Sequence, residues 1–245
     1  LTDAKGKQWN LDIPVEVLDQ DVAQKPSYPI TVDFSQDQTG FFADVLKQEV
    51  VRQAANDWAA FFDGSGLSPV APEAEETFIW KKEGFTGGHT VRNAKEYVGF
   101  LLYAYGIQTA ELRAGGEGSS SGGFQMQEEV EVPLRRSGGV EMDTRGNFNQ
   151  LGWLVSLKDA EWWKATNLGD VANDLYSIAH HEIGHSMIFN RAYPLQAKAK
   201  EAGNMETPAR LLYLGRAPKI DTHDHLHGTV DPITRHGAHG FEYHR

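Results

Sequence analysis

The chain contains no cysteine, and this absence excludes several kinds of functional site. Without thiols it cannot form a disulfide framework, use a cysteine nucleophile or build a zinc site on cysteine ligands. A metal ion would therefore have to be held by histidine and carboxylate side chains. Because cysteine-free chains suit both reducing and oxidising compartments, this feature does not fix the redox compartment.

Basic residues are also scarce, with 23 Lys and Arg against 34 Asp and Glu, which gives a net charge of −11. Nucleic acids and anionic membrane surfaces attract clustered Lys and Arg, so we expect neither as a partner. Long apolar runs are missing as well. The longest, VGFLLYAYGI at 98–107, is about half of the ~20 residues that a transmembrane helix needs. It predicts a buried strand and no membrane span.

Aromatic residues, by contrast, are plentiful, with 12 Phe, 8 Tyr and 6 Trp among 245 residues. A chain of this length and composition can bury a sizeable core, which favours a folded domain over disorder. No signal peptide is recognisable, and the chain begins at Leu1 rather than Met. We therefore expect that an upstream segment is removed and that the protein is secreted or periplasmic.

Hydrophobic periodicity predicts a mixture of strands and helices. An amphipathic helix is expected at 41–64, with an apolar face of Leu46, Val50, Ala54, Trp58 and Phe61. A second helix, capped by Asn167 or Asp170, is expected to run through Met187. Strands are predicted at 28–34, at 76–84, at 98–107, at 128–136 as a charged edge strand, and as two strands within 138–158. The Gly/Ser-rich segment 113–124 predicts a surface loop.

Histidine is distributed unevenly, and nine of the ten histidines lie after residue 179. In SIAHHEIGHSMIFN (177–190), His181, Glu182 and His185 follow the order H-E-x-x-H. On a helix, residues four positions apart lie on one face, so both imidazoles can point at one ion. Glu182 is rotated by about 100° from His181 and flanks that ion, within reach of a bound water.

This pattern predicts a hydrolytic zinc site. Zn²⁺ lowers the pKa of a bound water towards about 7, and an adjacent carboxylate can take the proton. We therefore expect His181 and His185 as zinc ligands and Glu182 as the general base. The alternative is a helix with partly exposed histidines and an ion-paired Glu182, and it leaves the histidines further along the chain unexplained.

The helix HEIGH and the elements before it resemble the zincin metallopeptidases. The order of strand, long helix, several strands and active-site helix is similar to the N-terminal subdomain of the metzincins. Those proteins continue H-E-x-x-H-x-x-G-x-x-H/D, whereas this chain has Ile188 and Arg191 at the two key positions. No Met-turn is evident. The better likeness is to leishmanolysin-like metzincins, in which a long insertion precedes the third histidine.

That resemblance implies a third ligand in the His-rich segment THDHLHG (222–228), where His223, His225 and His227 alternate. In an extended segment all three share one face, and one suffices if the fourth position stays open. We favour His225, which has Asp224 beside it to orient an imidazole. A gluzincin arrangement would use a glutamate instead, and Glu201 and Glu206 are the candidates.

The resemblance further implies an α+β fold with a twisted, mostly parallel sheet, a long backing helix and an active-site helix. We expect a single catalytic domain over 1–245, in which residues of about 1–189 form an N-terminal subdomain. A smaller, irregular subdomain of about 190–245 would carry the third ligand. The expected function is that of a monomeric, zinc-dependent endopeptidase acting on proteins or peptides. The alternatives are a non-proteolytic metal-binding module on a similar scaffold and a metal hydrolase of other amides or esters.

Overall fold

A computed structural model of the chain describes residues 28–60, 62, 64, 66–79, 88–108, 115–120, 124–127, 130–133, 136–146, 152–157, 173–187, 219–220 and 226–227. Two helices lie in these ranges, α1 at Val45–Ala59 and α2 at Leu175–Met187. Neither is long and apolar enough to cross a membrane. The strands in chain order are β1 Ile30–Asp33, β2 Glu76–Ile79, β3 His89–Arg92, β4 Phe100–Ile107, β5 Gly116–Ser120, β6 Phe124–Gln127, β7 Val130–Pro133, β8 Ser137–Asp143, β9 Trp153–Leu154, β10 Asn173–Asp174, β11 Lys219–Ile220 and β12 Leu226–His227.

The central sheet has four strands in the order β1-β4-β8-β5. β1, β4 and β8 are parallel to one another, and β5 runs antiparallel to β8 at one edge. The described part of the chain is thus mixed α/β, with a mostly parallel sheet and two helices. This confirms the coarse part of the expected fold class.

The central strand β4 is buried on both faces, which explains its unbroken apolar run. Phe100, Leu102 and Ala104 contribute to the core on one face of the sheet, and Leu101, Tyr103 and Tyr105 to the core on the other. α1 and α2 pack over the first face, where Val140 and Met142 of β8 meet them. The antiparallel β2–β3 pair contributes Ile79 and Val91 to the second face.

The first helix is shorter than its sequence pattern suggests. A 3₁₀ turn at Phe41–Ala43 precedes α1, and the Asp44 carboxylate caps α1 by accepting from the Leu46 backbone N–H at 2.9 Å. α1 ends at Ala59, before the predicted end at residue 64. Val50 and Ala54 are buried as predicted, but Leu46, in the first turn of α1, is 40% exposed.

Three strand predictions are confirmed: 28–34 contains β1 and 98–107 contains β4, both shorter than predicted, and β2 forms the described part of 76–84. Within 138–158 the structure places β8 and β9 around a turn, and β9 pairs with β10 rather than with β8. The predicted cap of the second helix was wrong. The helix begins at Leu175, so Asn167 and Asp170 precede its first turn by several residues.

The Gly/Ser-rich loop predicted at 113–124 was also wrong, because residues Gly116–Ser120 form β5. The reason is the close approach of α2, which only residues without a Cβ permit. The edge strand predicted at 128–136 contains β7, which pairs with β6 in a separate two-stranded sheet. The edge of the central sheet beside α2 is therefore β5 and not β7.

The two-sided burial of β4 gives a direct stability prediction. Leu102 is fully buried in the centre of the sheet, and Leu102→Ala should lower the free energy of unfolding by about 2–5 kcal/mol. Leu46→Ala removes the same atoms from an exposed helical position and should change it by less than about 0.5 kcal/mol. Urea denaturation monitored by tryptophan fluorescence measures both. Equal losses in the two variants would contradict this placement of β4.

Candidate metal centre

The start of α2 is fixed by Asp174, the last residue of β10. Its Oδ2 accepts hydrogen bonds from the Ser177 backbone N–H at 3.0 Å and from the Ser177 hydroxyl at 2.5 Å. This is the capping interaction that satisfies free amides in a first helical turn. Just before it, the Asn173 side-chain amide donates to the carbonyl of Gly146 in the turn after β8. The helix is therefore tied at its N-terminus to the carboxyl end of the sheet.

One side of α2 is held against α1 by aromatic residues. The His180 ring stacks on the Trp58 indole with centroids 5.0 Å apart, and Trp58 Nε1 donates to the His180 carbonyl at 2.7 Å. One turn earlier, the Tyr176 hydroxyl donates to the Asp57 carboxylate. Burial, reinforced by the Asp57 carboxylate, raises the pKa of Tyr176 far above its ordinary value, so the phenol stays a donor. His180 is thus a packing residue between the two helices.

The opposite side of α2 rests on β5 and β8 at glycine positions. A Cβ added at Gly118 would lie 1.9 Å from the Glu182 carbonyl oxygen, and one at Gly138 would lie 3.2 Å from the Ser186 Cβ. The Ser186 hydroxyl also donates to the Gly139 carbonyl at 2.8 Å. Helix and sheet backbones are in direct contact here, so neither can shift without the other.

Between these two supports, α2 presents the H-E-x-x-H residues. The Nε2 atoms of His181 and His185 lie 3.1 Å apart, and both rings are half-buried. Glu182 is only 7% exposed, and a carboxylate oxygen lies within 4.8 Å of the ligand atoms of both histidines. The three residues predicted to form the site are therefore brought together, as a cluster able to hold a metal ion.

The histidine geometry fits a metal bound by both rings. Two nitrogens that each lie 2.0–2.1 Å from a tetrahedral Zn²⁺ are separated by about 3.3 Å, close to the observed separation. Imidazole nitrogens and carboxylate oxygens are also the donors that zinc accepts in proteins without cysteine. The same distance allows an N–H···N hydrogen bond between the rings, and metal titration separates the two arrangements.

Most of the residues predicted as a third ligand lie outside the described part of the chain. His225 and His223 are outside the described residues, as are Glu201 and Glu206. His227 ends β12, whose backbone pairs antiparallel with β11 through Lys219↔His227. Within the described ranges, His181, Glu182 and His185 are the group that could hold an ion.

Two functional positions escaped the sequence interpretation, namely Gly116 and Gly118 of β5. A Cβ at Gly116 would lie 3.0 Å from Glu182 Cγ, and the one at Gly118 would meet the Glu182 backbone. The signal was present in the sequence as glycines two residues apart in GEG. That spacing places both on one face of a strand, but the surrounding Gly/Ser run masked it.

The cluster makes a prediction about metal binding. His181→Ala and His185→Ala should each weaken Co²⁺ or Zn²⁺ binding by at least about 100-fold, because each removes a ligand atom from one ion. His89→Ala, a half-buried histidine on β3, should bind the metal like the wild type. Dialysis followed by metal analysis measures the stoichiometry. Retention of one ion per chain in both ligand variants would show that the ion is held elsewhere.

Comparison of the chain with protein-family models, with curated proteins and with solved structures finds no match.

Proposed function

We propose that the chain is a zinc-dependent endopeptidase in which Glu182 is the general base. The observation that carries this proposal is the convergence of two imidazole nitrogens and a buried carboxylate on one turn of α2. Glu182 is 7% exposed, and its carboxylate lies within 4.8 Å of the ligand atoms of both histidines. A cation bound by the two rings would therefore lie close to this carboxylate.

A bound Zn²⁺ would polarise the substrate carbonyl and acidify a water. The rest of the work falls to the protein. His181 and His185 hold their rings at a fixed separation because α2 is anchored at Asp174 and along two sides. Glu182 is close enough to take the proton of the attacking water, to hold it on its carboxylate and to deliver it to the leaving amine.

Strand β5 gives the proposal a binding surface for an extended substrate. One edge of β5 pairs with β8, and among the described strands it has no second partner. Its peptide groups lie beside Glu182, where an extended peptide could add as a further strand. Main-chain pairing of this kind favours peptides over small amides or esters.

The layout also supports the zincin resemblance. Three parallel strands, a backing helix α1, an antiparallel edge strand β5 and a helix α2 with H-E-x-x-H follow the order that the resemblance implies. We infer that a C-terminal segment completes the site with His225 as third ligand. A secreted or periplasmic monomer with protein or peptide substrates remains part of this proposal.

Removal of the base tests the reaction. Glu182→Gln keeps the shape of the side chain but cannot accept a proton, so kcat/KM on a quenched fluorescent peptide library should fall by at least about 100-fold with metal content unchanged. Glu49→Gln on the exposed side of α1 makes the same chemical change and should retain wild-type activity. If zinc-loaded wild type and Glu182→Gln cleave no peptide, or cleave equally, the endopeptidase assignment is wrong and a binding module is favoured.

The third ligand has a separate test. His225→Ala should lower metal affinity by about 100-fold or more, whereas His223→Ala and His227→Ala should stay within about threefold of the wild type. The three variants serve as controls for one another, because they share chemistry and local sequence. Loss of metal in His223→Ala or His227→Ala would move the ligand to that residue. Full retention in all three would favour Glu201 or Glu206.

A further inference from the structure

Glu182 is contacted by β5 at two points that differ in kind. Gly116 faces the Glu182 side chain, since an added Cβ would lie 3.0 Å from Cγ. Gly118 faces the Glu182 backbone, since an added Cβ would lie 1.9 Å from its carbonyl oxygen and 2.8 Å from its carbonyl carbon. The edge strand therefore limits both where the carboxylate stands and where the helix carrying the histidines stands.

We propose that β5 is the positioning element of the site, and that Gly116 and Gly118 have separate positioning roles. Gly116 leaves the space in which the Glu182 side chain is held, so it sets the position of the base. Gly118 lets α2 approach the sheet, so it sets the position of His181 and His185. The first role rests on the proposed function of Glu182 as a base, whereas the contacts themselves do not.

The two positions differ in how far the neighbouring atoms would have to shift to make room for an added methyl group. At Gly116 the nearest atoms are the Glu141 carbonyl oxygen, Glu182 Cγ and Met142 Sδ, all at 3.0–3.1 Å. Shifts of a few tenths of an ångström relieve these contacts, and two of the three atoms, Glu182 Cγ and Met142 Sδ, belong to side chains that can adjust by rotation. At Gly118 the obstacle is helix backbone, more than about 1 Å inside normal contact, so α2 itself has to move.

The catalytic consequence follows from the distances. Misplacement of a reacting group by about 1 Å can cost about 100-fold in rate. Gly116→Ala should therefore lower kcat on the peptide library by about tenfold, with KM and Co²⁺ affinity within about threefold of the wild type. Gly118→Ala should weaken Co²⁺ binding by about tenfold or more, because it displaces the helix that carries both ligands.

Gly139→Ala is the matched control. Gly139 lies on β8, and an added Cβ would meet Tyr105 at 3.5 Å and Ser119 Oγ at 3.7 Å, which are ordinary contacts. This variant makes the same glycine-to-alanine change in a neighbouring strand. It should leave kcat, KM and Co²⁺ affinity at wild-type values.

A thermal unfolding cycle tests the contacts without any activity. Glu182→Ala removes Cγ, so the Tm loss caused by Gly116→Ala should shrink by about 2 °C or more in that background. The Tm loss caused by Gly118→Ala should not shrink, because the Glu182 carbonyl oxygen remains. Equal Tm losses from Gly116→Ala in both backgrounds would overturn the side-chain contact.

The endopeptidase assignment and the positioning role of β5 are contradicted by different results. If the wild type cleaves no peptide but the unfolding cycle and the Co²⁺ titrations behave as described, β5 positions the cluster and the endopeptidase assignment is wrong. If the wild type is active and Gly116→Ala matches Gly139→Ala in kcat, the positioning role of Gly116 is wrong. Wild-type Co²⁺ affinity in Gly118→Ala would likewise remove the role of Gly118.

Discussion

The backbone contact between β5 and α2 at Gly118 is the constraint on which the site depends. A helix normally stands off a sheet by the thickness of the side chains between them. Here Gly118 lets the Glu182 carbonyl oxygen lie 1.9 Å from the position that a Cβ would take, and at Gly138 the Ser186 Cβ lies 3.2 Å from the corresponding position. The H-E-x-x-H turn is thereby brought to the edge of the sheet, beside the outermost strand.

The remaining contacts of α2 make that approach rigid. Asp174 fixes the first turn, the Trp58–His180 stack fixes the side facing α1, and the Ser186 hydroxyl bonds to the strand below. Preorganised groups of this kind can act on a reacting centre without a reorganisation cost during the reaction. The half-buried imidazoles and the buried carboxylate therefore form a cluster whose geometry is set by the fold.

Much of the fold could be predicted from the sequence because the spacing of hydrophobic residues indicates which faces are buried. The apolar run of β4 indicated a strand covered on both faces, and the spacing of His181 and His185 indicated a shared helical face, since both depend only on local geometry. β5 could not be predicted in this way, because its sequence depends on a contact with a distant part of the chain. Its glycines are selected by a helix some 60 residues further along the chain, and composition alone describes them as a loop.

The predictions of the helix boundaries were wrong for a similar reason. Leu46 fits the apolar period of α1, yet it is exposed in the first turn of the folded chain. The cap of α2 is Asp174 rather than Asn167 or Asp170, since the short β9–β10 pairing keeps the chain extended up to that residue. Both outcomes are decided by tertiary packing, which overrides local preference.

A crystal structure of the zinc-loaded chain, with anomalous data at the zinc edge, tests the proposed zinc site most directly. We expect one peak with His181 Nε2, His185 Nε2 and a nitrogen of His225 each about 2.0–2.1 Å away. The Glu182 carboxylate should lie beside the open fourth position without ligating. A peak distant from α2, or His181 and His185 hydrogen-bonded to each other with no peak between them, would contradict it.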